Sequence, residues 1–184
     1  PCFNRNRSQF FIGIGIFIAA IVTIVAVGEY LDYRTNQATI QIEKVEKKHA
    51  KNFSLDTKTK IQEFETLLNS YSSKDAKLRV YKRISDLHVE AFEFAKAAEY
   101  LEKAAELVGD SKEIKAYYYY VAGSHREQAK DSKLALQNYA KASTLLANNR
   151  ETHSLSAWSY YQTGRLRLLN GEKDAAIKDL NKVL

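Results

Sequence analysis

The sequence predicts an all-α protein, with an apolar helix of membrane-spanning length followed by a solenoid of stacked helical hairpins. Three observations predict it. Proline occurs once and glycine seven times in 184 residues, so helix breakers are nearly absent from a chain rich in Ala, Leu, Lys and Glu. Residues Phe10 to Val27 are eighteen in a row without a charge. Behind them, one pattern of small and large residues recurs three times, and a repeat of this length decides the architecture.

The composition excludes several classes of function. Cys2 is the single cysteine, so there is no intramolecular disulfide and no cysteine-based zinc site. His49, His88, His125 and His153 lie far apart in the chain, and a metal site built from them is not expected. The formal charge is +6, but Arg5 and Arg7 precede the apolar block and all 22 acidic residues follow it, leaving a surplus of only four beyond the block. Those charges alternate within helical turns, as in Glu43, Lys44, Glu46 and Lys47, which reads as a solvated face and not a nucleic-acid stripe. No GxGxxG, GxxxxGK[ST], HExxH or GxSxG motif is present, so neither an enzyme nor a cofactor is expected.

The apolar block approaches the roughly 20 residues needed to cross about 30 Å of hydrocarbon. A lone segment in lipid satisfies its backbone only as a helix, which overrides the reluctance of its Ile and Val residues. A cleaved signal peptide with a small-residue site at Ala26-Val27-Gly28 is the rival reading. The block is longer than the usual 7 to 15 residue signal core, which favours a retained anchor. Arg5 and Arg7 before the span, with Glu29 and Asp32 after it, place the N-terminus in the cytoplasm by the positive-inside rule. In a bacterium the domain then faces the periplasm, from the inner membrane. The expected organisation is a cytoplasmic N-terminus at 1–9, a transmembrane helix at 10–28, a helical stalk at 29–53 and a helical array at 54–184.

Within the stalk, Ala38, Ile42 and Val45 form one narrow helical stripe, too short for a coiled-coil seam. Ile61, Phe64, Leu68 and Tyr71 then give the face of a further helix behind Asp56.

Three segments align beyond it. Tyr81, Ile84, Ser85 and His88 are followed by Ala97, Leu101 and Ala104. Tyr119, Ala122, Gly123 and Arg126 are followed by Ala135, Tyr139 and Ala142. Tyr160, Thr163, Gly164 and Arg167 are followed by Gly171, Ala176, Leu180 and Val183. These occupy the slots of WxxLGxxY, a turn, and AxxxFxxA, and over about residues 78 to 184 the chain resembles the tetratricopeptide repeat family, with a partial unit in 55 to 72. Small residues at Gly123 and Gly164, facing Ala135 and Ala176, let paired helices approach closely, and stacking buries what one pair cannot. The sequence departs from the family in its spacings of 38 and 41 residues, implying lengthened helices or loops near Gly109-Asp110 and Asn148-Asn149. It also carries His88, Arg126 and Arg167 in the second aromatic slot, and lacks the closing proline. Together with the anchor, the layout resembles the single-pass, periplasm-facing helper subunit of the Sec translocon and the related cell-division coordinator.

Such arrays bind peptides or helices along the inner, concave face, and the resemblance implies the same here. If Tyr119 fills the packing slot of its pair, that face carries Tyr117 and Tyr120, with Trp158, Tyr161, Arg165 and Leu168 in the next unit and Arg79, Lys82 and Asp86 in the previous one. Trp, Tyr and Arg dominate interface energetics because they bury much surface while keeping a polar handle. The competing reading, left open, is that these aromatics pack against a neighbouring helix or a C-terminal cap. Leu180, Val183 and Leu184 are expected to face a partner, either a continuation of the chain or another subunit. The expected function is a membrane-anchored scaffold or adaptor that holds other proteins, as a homo- or hetero-oligomer, in secretion, division or motility machinery. The alternative is a structural ring or collar subunit packed through the ends and convex face of its array. The expected partners are proteins and, through residues 10–28, the bilayer; no nucleic acid is expected.

Overall fold

The computed structural model describes residues 7–52, 54–71, 73–147 and 153–183, and all regular structure among them is helical. In order the helices are α1 (Arg7–Lys51), α2 (Thr57–Ser70), α3 (Lys74–Glu90), α4 (Phe94–Leu107), α5 (Lys112–Gln128), α6 (Ser132–Leu145), α7 (His153–Leu169) and α8 (Lys173–Leu180). Cys2, Arg5, Asn148, Asn149 and Leu184, which carry expectations of topology, loop length and chain end, lie outside the described residues. The fold is the tetratricopeptide-like solenoid of helical hairpins that the repeat predicts, entered through a long apolar helix. Its hairpins are α3/α4, α5/α6 and α7/α8. The first helix of each is 17 residues long, against 14 in α4 and α6, and this extra length contributes to the long repeat period.

Close approach inside each hairpin depends on the small residues. A Cβ added to Gly123 would lie 2.8 Å from the Tyr139 ring, and one added to Gly164 would lie 2.7 Å from Leu180 Cγ. In the first hairpin the same slot holds Ser85, which is buried and donates its hydroxyl to the Ala97 carbonyl at 2.9 Å. The departure from the aromatic slot also has a structural answer. His88 stacks on Tyr100 with ring centroids 5.5 Å apart, Arg126 shares the Glu102 carboxylate with Asn138, and Arg167 donates to Asp179. His88 and Arg167 thus meet the second-helix position twelve later, Arg126 is joined to its counterpart Asn138 through Glu102, and a polar or stacked arrangement replaces the expected aromatic. Burial works against ionisation of Glu102, and the hydrogen bonds from Arg126 and Asn138 outweigh it, holding its carboxyl below the usual range.

The turns repeat as faithfully as the helices. Phe92, Lys130 and Gly171 occupy one register position and all adopt positive φ, at 58°, 63° and 82°. Each is followed by an amide that bonds back five residues: Glu93 to His88 at 2.8 Å, Asp131 to Arg126 at 2.8 Å and Glu172 to Arg167 at 2.9 Å. This is the Schellman closure, which satisfies the last carbonyls of the helix and favours glycine at its left-handed residue. Two of the three units hold that conformation without glycine.

α1 runs unbroken for 45 residues, about 67 Å at 1.5 Å per residue. From Gln9 to Arg34 its residues are exposed, and the Thr23 hydroxyl bonds back to the Ala19 carbonyl at 2.8 Å, so this polar group is satisfied inside the helix. Beyond that point the environment changes. Ala38 and Ile42 are buried in a core with Ile61, Phe64, Ala76, Val80 and Ile84, and Val45 packs on its edge. The stripe read as part of a stalk is therefore occupied from within the chain, and the end of α1 with α2 makes a further hairpin at the front of the solenoid. Asp56 caps α2 by accepting the Thr59 amide at 2.9 Å.

Ion pairs fix the direction of travel. Glu43 meets Arg79, while Glu46 meets Arg79 and, at 2.7 Å, Arg83, so α1 and α3 run parallel. Two reversals per hairpin keep α5 and α7 in that direction. The starts of α3, α5 and α7 and the ends of α4 and α6 therefore gather on the edge nearer the apolar half of α1. The turns at Phe92, Lys130 and Gly171 lie on the far edge.

Candidate partner-binding face

The first helices present one register-matched face. Arg79, Tyr117 and Trp158 form one row across α3, α5 and α7; Lys82, Tyr120 and Tyr161 form the second. Asp86, Ser124 and Arg165 form the third, and Val89, Glu127 and Leu168 the fourth. Each row is spaced 38 and then 41 residues, the period of the repeat.

The structure divides the predicted residues into two groups. Tyr117, Trp158, Tyr161 and Leu168 are exposed, with Trp158 retaining 56% of its surface. The Trp158 and Tyr161 rings meet edge-on at 5.8 Å, a contact that holds both rings at the surface without covering them. The second group is already partnered. Arg79 is taken by Glu43 and Glu46, and Lys82 bonds Asp86 on its own helix at 2.9 Å. Tyr120 is partly buried, its ring 5.4 Å from that of Tyr139. Arg165 is held by Glu127 at 2.6 Å and by Gln162 at 2.7 Å.

Glu127, absent from the sequence-derived set, orders the rear of this face. It also accepts the Tyr139 hydroxyl at 3.0 Å, and so joins α5, α6 and α7 through one carboxylate. The signal was available in the repeat: Glu127 stands one register row beside Arg165 on adjacent first helices, an opposite-charge pair across the stack. Tyr118 was likewise missed; it is partly buried between two core clusters, and that burial raises its phenol pKa. Glu46, which neutralises Arg79 and Arg83, was read only as a solvated charge. Its burial opposes ionisation, but the hydrogen bonds from Arg79 and Arg83 prevail and hold its carboxyl below the ordinary range.

Among the described residues no group of three or more His, Cys, Asp or Glu side chains is placed to hold a metal ion. An open aromatic patch at the rear, flanked by a fixed Arg165–Glu127 pair, offers apolar area with polar groups already oriented.

No protein-family profile and no curated protein sequence matches the chain. Among solved structures, one described as the MamA protein aligns with a TM-score of 0.53 and 23% identity, covering 79% of this chain and 70% of that one. A second MamA structure aligns with a TM-score of 0.49 and 17% identity over 83% and 84% of the two chains. The first likeness bears on the fold alone, and that fold is a tetratricopeptide-like helical solenoid.

Proposed function

We propose that the protein is a membrane-anchored interaction scaffold, which holds partner proteins on the first-helix face of its array rather than catalysing a reaction. The observation that carries this reading is the open aromatic patch of Tyr117, Trp158, Tyr161 and Leu168, built on a helix array that is continuous with an unburied apolar helix of spanning length. Large apolar side chains left exposed in register mark an interaction surface. The apolar half of α1 anchors the chain in the inner membrane, the N-terminus lies in the cytoplasm and the array faces the periplasm, where it recruits clients or joins an envelope machine. Secretion, division and motility assemblies all fit this description.

Trp158→Ala tests the groove. Capture of a partner from solubilised membranes should weaken by about 2 kcal/mol or more, the scale of a central interface aromatic. The melting temperature should stay near that of the parent, because more than half of the Trp158 surface is already open. A variant that melts early would place Trp158 in the core instead and remove the assignment. Topology is tested separately by a membrane-impermeant thiol reagent, which should leave Cys2 unlabelled from the periplasmic side.

A specific observation favours the ring or collar reading as a second possibility. Ala98, Leu136 and Ile177 share one register position; Ala98 is buried and Leu136 partly buried against their core clusters, whereas Ile177 is 56% exposed. Ile177→Glu should leave a monomer unchanged but break an assembly built through this end, read by light scattering of the detergent-solubilised chain.

A further inference from the structure

The lysines of the array follow the repeat. Lys74 and Lys112 share one position at the start of a first helix, Lys77 and Lys115 another, and Lys103, Lys141 and Lys182 a third near the end of the second helix. Each of the last set lies over an aromatic ring: Lys103 Nζ is 4.6 Å above Tyr100 on its own helix, whereas Lys141 and Lys182 reach across their hairpins to the register-matched rings of Tyr119 and Tyr160, at 4.7 and 4.6 Å. A cation–π seat fixes an ammonium without neutralising it, so its charge remains available to an anion.

Between the start of α5 and the end of α6 these positions converge on a cleft of about 710 Å³. Lys112, Lys115 and Lys141 stand around it, Tyr119, Ala140 and Leu145 supply apolar lining, and none of the described residues that line it is a carboxylate. The nearby Glu113 is turned to Ser111, whose hydroxyl donates to it at 3.3 Å. The cleft lies on the edge of the array nearer the apolar half of α1, as the parallel run of the first helices requires. Ala38, packed in the same core as Ala76 near the start of α3, is about ten residues beyond Gly28, or about 15 Å along the helix. The headgroup layer accounts for about 5 to 8 Å of that distance. Lysine side chains on this edge therefore come within about one Debye length, about 8 Å, of the lipid phosphates.

We propose that the Lys112–Lys115–Lys141 cleft is a docking site for the phosphate-bearing headgroup of an anionic phospholipid, which seats the array against the membrane carrying it. The proposal rests on the anchored reading of α1. It adds a second membrane contact, and with it an attitude: the far edge, with its turns at Phe92, Lys130 and Gly171, is held away from the bilayer.

The test uses the full chain reconstituted in lipid nanodiscs, with Cys2→Ser and a fluorophore on Ala147→Cys, exposed just past α6 and outside the cleft lining, and a quencher on the lipid headgroups. Discs containing phosphatidylglycerol should quench the fluorophore more than purely phosphatidylcholine discs, and added salt should reverse the difference. Each lysine changed to Gln should lower the ratio of docked to undocked array about fivefold, from the roughly 1 kcal/mol that each basic residue gains near an anionic surface. Lys112→Arg, Lys115→Arg and Lys141→Arg together should retain docking. Removal of three far-edge charges, by Lys96→Gln, Lys133→Gln and Lys173→Gln, should leave it unchanged. Circular dichroism melts of every variant separate lost docking from lost folding. Equal quenching in both lipids, or equal loss from the far-edge variant, overturns the proposal. Release by inorganic phosphate at matched ionic strength assigns the cleft to a free anion and also overturns it. A chain that elutes apart from the discs refutes the anchor itself, and the proposal falls with it.

Discussion

The front and rear of the array share a register but not a surface. At the front, the first-helix face of α3 is charged, and the end of α1 lies beside it with Glu43 and Glu46 directed at Arg79 and Arg83. At the rear, the same rows of α7 carry Trp158, Tyr161 and Leu168, and these are exposed. The backbone is the same device in both places, down to the left-handed turn residue. The difference teaches that the repeat dictates where a side chain points, while the neighbouring element decides whether it is available.

The largest expected effect comes from removing the front's neighbour. Ile42 is 1% exposed in the core that joins α1 to α2 and α3, and Ile42→Ala should cost about 3 kcal/mol, within the usual range for a buried isoleucine. Ile24→Ala, on the unburied half of the same helix, should leave the detergent-phase melt unchanged. Equal melting of the two variants would break the contrast between the halves of α1. Next in size is Gly123→Ala, which sets a methyl 2.8 Å from the Tyr139 ring and should lower stability by about 2 kcal/mol. Gly109→Ala, with nothing within 4 Å of the added atom, is the matched control in the same melts.

The turn residues predict a change of opposite sign. Phe92 is 81% exposed and holds φ at 58°, so Phe92→Gly should raise stability by about 1 kcal/mol, relieving the steric cost of the left-handed conformation. Gly171→Ala at the rear should lower it by a similar amount. The smallest effect is electrostatic and is read at the front. Because the Glu46 carboxyl is held below its usual value of 4.5, its contribution is present above that pH and fades as pH falls through the lower folded value. Glu46→Gln should flatten the acid limb of a stability–pH curve by a few tenths of a kcal/mol, the scale of solvent-accessible ion pairs.

The hairpins were legible because their signal is local. Gly123 and Ala135, or Gly164 and Ala176, are small residues at a fixed spacing, and close helix packing has few other uses for them. The apolar half of α1 was legible from its length and lack of charge. Its second half was not: Ala38, Ile42 and Val45 make a stripe of barely one heptad, and the residues that cover it, Ile61, Phe64 and Val80, come from two later helices. The face residues divided for the same reason. Arg79 looks available until Glu46, 33 residues earlier, is brought beside it. Trp158 looks like a core residue by its size, and only the placement of α8 on the other side of α7 leaves it open. The left-handed turns at Phe92 and Lys130 were hidden because neither is glycine; their alignment with Gly171 was the only trace.

With the apolar half of α1 in a bilayer, as proposed above, the unbroken course of this helix sets a phase between membrane and array. No flexible segment separates Gly28 from Ala38 among the described residues, so every residue added there turns the whole solenoid by about 100° around the helix axis and lifts it about 1.5 Å. One inserted alanine would point the aromatic patch in a new direction over the membrane, whereas seven, close to two full turns, would restore its bearing at a greater height. For anything that meets this array while itself fixed in the membrane, compass heading becomes as much a part of the binding site as the side chains are.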